Sequence, residues 1–161
     1  MRTRAVLLAY NPVMTDDIEE MGPVDWILVE FSGPPTGAVA PHLLDLVERG
    51  LIRILDLLMV VKDADGEVTL LEISDLDGDG ELDLAVFEGA SSGLLGEEDA
   101  AEAAAAMEND TSAALLLYEN VWAAPFAVAV RKAGGQLVAS GRIPVQSIVA
   151  ALDELDAADA S

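Results

Sequence analysis

From Val24 onward, apolar residues fall in runs whose spacing switches between the period of a strand and that of a helix. Val24 to Ser32 (VDWILVEFS) reads as a buried strand closed by Gly33, Pro34, Pro35, Thr36 and Gly37. A helix follows, with Pro41 in its first turn, an apolar stripe of Val39, Leu43, Leu46 and Val47, and Gly50 as its stop. Leu51 to Lys62 is a second, almost continuously apolar strand; Asp63 to Gly66 turns the chain, and Glu67 to Ser74 returns as a third. The pattern next predicts an Ala-rich helix over about 97–108, whose first turn holds Glu97, Glu98 and Asp99 where acids suit the helix dipole. Ser112 to Glu119 (SAALLLYE) is predicted as a strand, Val121 to Ala133 as a helix ended by Gly134 and Gly135, and Gln136 to Arg142 as another strand. Pro144 opens a last helix with Val145, Ile148, Val149, Leu152 and Leu155 on one face.

Two strand-helix-strand units emerge, over 24–62 and 112–142. Their sharing of one sheet predicts an α+β fold: a ferredoxin-like open sheet of about five strands, with an extra hairpin strand and helices mainly on one face. A doubly wound parallel sheet is the competing arrangement, but neither G-x-G-x-x-G nor G-x-x-x-x-G-K occurs to mark its phosphate site. Residues 21–156 are expected to form a single domain, which suits a chain of 161 residues. Residues 1–20 are expected to be a poorly ordered arm. Their apolar stretch, Ala5 to Tyr10, is too short for a signal peptide, and Met21 is a plausible alternative start. Residues 157–161 are expected to be a disordered tail.

Composition narrows the function. Thirty Asp and Glu against 8 Lys and Arg give a formal net charge of −22, a surface that repels nucleic-acid and anionic-membrane phosphates alike. The eight basic residues are scattered, only Arg131 and Lys132 being adjacent, so no basic stripe exists. No apolar run approaches the roughly 18 to 20 residues of a spanning helix. With no cysteine there is no disulfide, thiol nucleophile or zinc-thiolate site, and a cytoplasmic setting is expected.

The runs MGPVDWILVEF (from Met21), IRILDLLMVVKDADGEVT (from Ile52), EISDLD (from Glu72), SAALLLYENVWAAPFAVAVRKAGG (from Ser112) and RIP (from Arg142) resemble the actinobacterial proteins of domain-of-unknown-function family 6325. The resemblance covers nearly all of Met21 to Leu155, and the organisation is also similar to the broader bacterial family 1269. It implies a compact α+β domain and carries no catalytic residue over.

Candidate chemistry is sparse. Asp75 to Val86 (DLDGDGELDLAV) places oxygens at Asp75, Asp77, Asp79 and Asp83, with Gly80 at the sixth position, as a calcium loop does. The bidentate Glu of an EF-hand is replaced by Val86, and the alternative is that Asp75 or Asp77 caps a helix over 80–90. Ca2+ is thus the one cofactor the sequence suggests. His42 is the only histidine, which excludes a two-histidine metal site within one chain, and no G-x-S-x-G nucleophile elbow occurs. Glu30, Asp56 and Glu119 interrupt apolar strands; a buried acid needs a partner, and Glu30 with Asp56 is the natural acid-base pair to consider, Arg53 and Arg142 being their structural partners otherwise. Tyr118, Glu119, Asn120 and Trp122 crowd one strand-to-helix junction, with Trp26 on the same sheet, and could line a pocket or anchor a contact. The reading that follows is a noncatalytic domain acting by self-association, as a homodimer, or by binding a small ligand or protein partner, with no nucleic acid and no membrane. A calcium-responsive domain and an acid-base enzyme are the alternatives.

Overall fold

The computed structural model describes residues 19–71 and 93–160. Residues 1–18, the distal part of the third predicted strand (72–74), the acidic loop of Asp75, Asp77, Asp79 and Asp83, the helix expected over 80–90 and Ser161 lie outside the described residues. The chain divides into two compact units, one reaching to Ala129 and one over Val130–Ser161.

The first unit is built on four strands: β1 (Val24–Ser32), β2 (Ile52–Lys62), β3 (Val68–Leu71) and β4 (Thr111–Asn120). Helix α1 (Ala40–Glu48) joins β1 to β2, and α2 (Glu97–Ala106) precedes β4. The sheet order is β1-β4-β2-β3, with every neighbouring pair antiparallel. The last strand therefore enters the middle of the sheet. Because β1 and β2 both run against β4, they are parallel to one another across it, and α1 spans that gap. By the same logic β3 and β4 are parallel across β2. Two interlocked split units result, so the expected α+β open sheet is present.

Its second unit differs from the one the pattern suggests. The strand expected over Gln136–Arg142 is absent: those residues are exposed and make no ladder, Leu137 and Val138 included. Two adjacent apolar residues between Gly135 and Gly141 cannot supply an alternating face, and without a neighbouring strand their backbone groups remain with water. β4 takes β1 and β2 as its partners instead, and the second split unit is completed by β3.

The helices also divide between faces, where the pattern expects them mainly on one. Leu43, Leu44 and Val47 of α1 pack with Leu57, Met59, Leu116 and Tyr118. Ala103 and Ala104 of α2 pack with Val60, Ala113, Leu115 and Leu117. Alternation along β4 sends even-numbered side chains to the α1 face and odd-numbered ones to the α2 face, and both are buried. β2 keeps step with it through a bulge between Ile54 and Asp56, which switches the phase of the strand. Ile52 and Ile54 before the bulge and Leu57 and Met59 after it thus all reach the α1 face, while Leu55, Leu58 and Val60 reach the other. That phase change explains why β2 reads as unbroken apolar sequence.

Local signals set the element ends. α1 stops at Gly50 (φ 67°), where the Gly50 and Leu51 amides donate to Val47 and Leu46 carbonyls at 3.0 Å each. The carbonyls at the end of α2 are held by Lys62 of β2, whose Nζ donates to Ala104 (2.9 Å) and Met107 (3.0 Å). After β4 a single 3-10 turn, Val121–Ala123, leads into α3 (Ala124–Lys132), with Pro125 in the first turn where its missing N–H costs little.

In the second unit, α4 (Val145–Asp159) follows Pro144. It continues past Ala157, where the disordered tail is expected, because Ala157 and Ala158 favour helix. No described helix is long and apolar enough to cross a membrane.

Leu115 sits at the centre of β4, fully buried between β1 and β2. Leu115→Ala is expected to lower stability by about 2–5 kcal/mol, whereas Val138→Ala, at an exposed position, changes it by less than about 0.5 kcal/mol. Urea unfolding of the two variants checks the contrast.

Candidate functional site

The three strand carboxylates occupy separate places. Glu30 lies opposite Ala113 and Asp56 opposite Leu117. Four β4 positions separate those registers, about 13 Å at the rise of an extended strand, so the two acids do not form a pair. Each is engaged by its own chain. Glu30 Oε2 accepts from the Glu108 amide at 2.8 Å, with the Thr111 hydroxyl 3.2 Å away, and so ties β1 to the entry of β4. Asp56, only 2% exposed, sits at the β2 bulge; its Oδ1 accepts from the Leu57 amide (2.9 Å) and its Oδ2 from the Leu95 amide (2.8 Å). A bulge frees a backbone donor from the ladder, and the carboxylate takes it up while fixing the approach to α2.

Glu119 is held from two sides. Its Oε2 accepts from Arg53 Nε at 3.1 Å and Nη2 at 2.9 Å, and its Oε1 from the Gly22 amide at 3.1 Å. The carboxylate is buried and Arg53 is half-exposed, so the guanidinium seals the acid from one side. Gly22 is required there: a Cβ at this position would run into the Asn120 carbonyl oxygen. Arg53, expected to partner Glu30 or Asp56, pairs instead with Glu119, which lies opposite it across the ladder.

The aromatic residues do not gather on one surface. Tyr118 is buried on the α1 face, while Trp26, paired with Leu117, is half-exposed on the α2 face of β1. Trp122 is exposed; its indole Nε1 donates to Asn120 Oδ1 at 3.3 Å. Asn120 in turn donates from Nδ2 to Asp25 Oδ2 at 2.9 Å and from its backbone amide to the Pro23 carbonyl at 2.7 Å. These residues clamp the start of β1 to the end of β4. Among the described residues, no group of three or more His, Asp or Glu is placed to hold a metal ion.

An apolar concave feature lies elsewhere, on the α1 face beneath the connection from β1 to α1. A cavity of about 300 Å³ is floored by Leu57, Met59 and Ala114 and walled by Phe31, Pro35, Val39 and Leu43. Ser32 and Thr36 are the polar side chains among the described residues that line it, and none of those residues carries a charge. Gly33 (φ 76°) and Gly37 (φ 72°) bracket the two prolines and let the loop arch over the sheet. Ser112, buried in β4, donates through its hydroxyl to the Gly33 carbonyl at 2.7 Å and anchors one foot of the arch. Sequence reading assigned Gly33 to Gly37 only the role of ending a strand. A cavity is a volume that no single residue marks; the one available signal was the rigid Pro-Pro pair between two glycines.

An antiparallel open sheet with helices on both faces defines the class: an α+β domain, with a cavity under one loop whose described lining is largely apolar. The chain belongs to a family of unknown function, DUF6325, whose model matches residues 20–160. No curated protein and no solved structure matches it.

Removing the Glu119 carboxylate leaves the Gly22 amide unpaired and uncovers Arg53. Glu119→Ala is expected to cost about 1–3 kcal/mol, and Gly22→Ala at least as much because backbone must move to admit the methyl. Chemical denaturation of both, with Asp45→Ala of the exposed Arg49–Asp45 pair as a near-neutral control, checks this.

Proposed function

We propose that this chain is a noncatalytic binding domain whose α1-face cavity takes a small, neutral, largely apolar molecule. The observation that carries the reading is the cavity itself: about 300 Å³, walled by aliphatic side chains, prolines and one phenylalanine, without a charged side chain among the described residues that line it. That volume is at the lower end of those that enclose small ligands. An anionic headgroup would find no cation among the described lining, and the chain's net charge of −22 opposes its approach. A cationic one would have to shed its water against an apolar wall. Thr36 and Ser32 at the loop leave room for one hydroxyl or carbonyl.

The noncatalytic part of the reading is supported by the engagement of Glu30, Asp56 and Glu119 in holding backbone and Arg53, and by the distance between the first two. The absence of cysteine and the acidic surface suit a cytoplasmic setting. Self-association is the other activity expected of this domain, and the outer strand of its sheet bears on that separately.

The test compares 1-decanol with decanoate, equal in chain length and differing in charge, by NMR chemical-shift mapping. Decanol is expected to shift the resonances of Val39, Leu43, Met59 and Ala114, with decanoate binding at least about tenfold more weakly, equivalent to about 1.4 kcal/mol. Ala114→Leu, which fills the floor, is expected to abolish the decanol shifts while Glu30→Gln leaves them unchanged. Shifts that map elsewhere, or a preference for the anion, would remove the proposal.

A further inference from the structure

The sheet has two edges, and they are unlike. β3 is described only over Val68–Leu71, whereas β1 is described over its whole nine residues and pairs without interruption from Val24 opposite Glu119 to Ser32 opposite Thr111. Folded proteins blunt exposed edges with lysines, prolines, bulges or very short strands. β1 contains no Lys, Arg or Pro and has no bulge against β4. Its two acids, Asp25 and Glu30, are already drawn to Asn120 and to the Glu108 amide of their own chain.

Which backbone groups face outward follows from one hydrogen bond. The Asn120 amide donates to the Pro23 carbonyl at 2.7 Å, one step beyond the Val24–Glu119 register, so Pro23 and Asn120 form a hydrogen-bonded pair. Such pairs alternate along an antiparallel ladder. Asp25, Ile27, Val29 and Phe31 consequently turn their N–H and C=O groups toward β4. Val24, Trp26, Leu28, Glu30 and Ser32 turn theirs away from the sheet.

We propose that β1 pairs antiparallel with β1 of a second copy of this chain, about a two-fold axis at Leu28, to join the two sheets into one. This surface is independent of the cavity proposal. An axis perpendicular to the sheet keeps each α1 face on the same side and requires that opposed residues share a face. Centring on Leu28 satisfies this over the whole strand: Leu28 meets its own counterpart, Trp26 meets Glu30 and Val24 meets Ser32. All five outward-turned residues then fall in hydrogen-bonded pairs, giving about ten backbone bonds across the axis. On the α1 face Val29, which is exposed, comes against Ile27 of the second copy. Trp26, 51% exposed, gains a neighbour that the monomer does not provide.

Charge opposes the association. Each copy brings a net −22, so pairing is expected to tighten as salt shortens the screening length from about 10 Å at 0.1 M to about 3 Å at 1 M. Sedimentation equilibrium of the full chain over 10–500 μM, at both salt concentrations, is expected to give twice the chain mass at the upper end and a smaller dissociation constant in high salt. Amide exchange followed by NMR gives the register. The Val24, Trp26, Leu28, Glu30 and Ser32 amides should become protected as concentration rises, whereas those of Asp25, Ile27, Val29 and Phe31 are protected throughout. Trp26→Pro removes an outward N–H and is expected to return the mass to that of one chain; Trp26→Thr, which keeps the N–H, is expected to leave a dimer. A single-chain mass in all conditions overturns the proposal. So does a dimer in which the five outward amides exchange freely, a result read on the unaltered chain whether or not the proline variant folds.

Discussion

The structure depends on the insertion of β4 between β1 and β2. The last strand of the sheet to appear in the sequence is the one buried on both faces, with Leu115 and Ala113 turned to α2 and Leu116 and Tyr118 turned to α1. Until it is in place, β1 and β2 are parallel strands with an empty lane between them, and neither helix has a complete surface to pack on. Such a contact is distant in sequence, since Val24 must meet Glu119, and closing that loop is a cost that only the burial of a double-sided apolar strand offsets. The polar residues at the ends of β4 serve the same event. Glu119 and Asn120 hold Gly22, Pro23, Asp25 and Arg53 at one end, and Thr111 and Ser112 meet Glu30 and Gly33 at the other.

This arrangement gives each of the three strand carboxylates a partner in the fold. A lone acid in an apolar run suggests a displaced proton and hence a site, yet each of the three is placed where the backbone leaves a donor unanswered: at a bulge, at the entry to β4 and at the Gly22 approach. Charge-assisted hydrogen bonds to amides and to Arg53 tie these positions into the fold. The cavity arises from what that framework leaves unfilled. Small Ala114 stands on the floor between larger neighbours, and the stiff Gly-Pro-Pro-Thr-Gly arch stays above it, with one foot anchored by Ser112. Cavity and outer strand belong to the same β1: its Phe31 lines the former while its free backbone edge faces the other way.

Much of the architecture was legible along the chain. The periodicity located β1, α1, β2, β4, α3 and α4 closely, and Gly50 and Pro125 marked the end of α1 and the start of α3 by conformations that depend on the residue alone. Family membership was legible too, because long runs such as SAALLLYENVWAAPF are specific. Gln136 to Arg142 misled because Leu137 and Val138 satisfy strand propensity without having a strand to pair with. The division of the helices between two faces was hidden in β2, where the bulge at Asp56 shifts the alternation by one and makes a strand with two working faces look uniformly apolar.

The amino-acid sequence by itself determined the elements, the aliphatic nature of the core, the absence of thiol chemistry and the strongly negative surface, since each is a property of residue type or of spacing within a few positions. Tertiary structure alone decided that β4 lies between β1 and β2, that Arg53 serves Glu119, that Glu30 and Asp56 are held apart, and that a cavity opens under the first loop. Those outcomes are set by which distant strands satisfy one another's hydrogen bonds and by the volume left when side chains from several elements meet, and neither quantity exists until the chain has closed on itself.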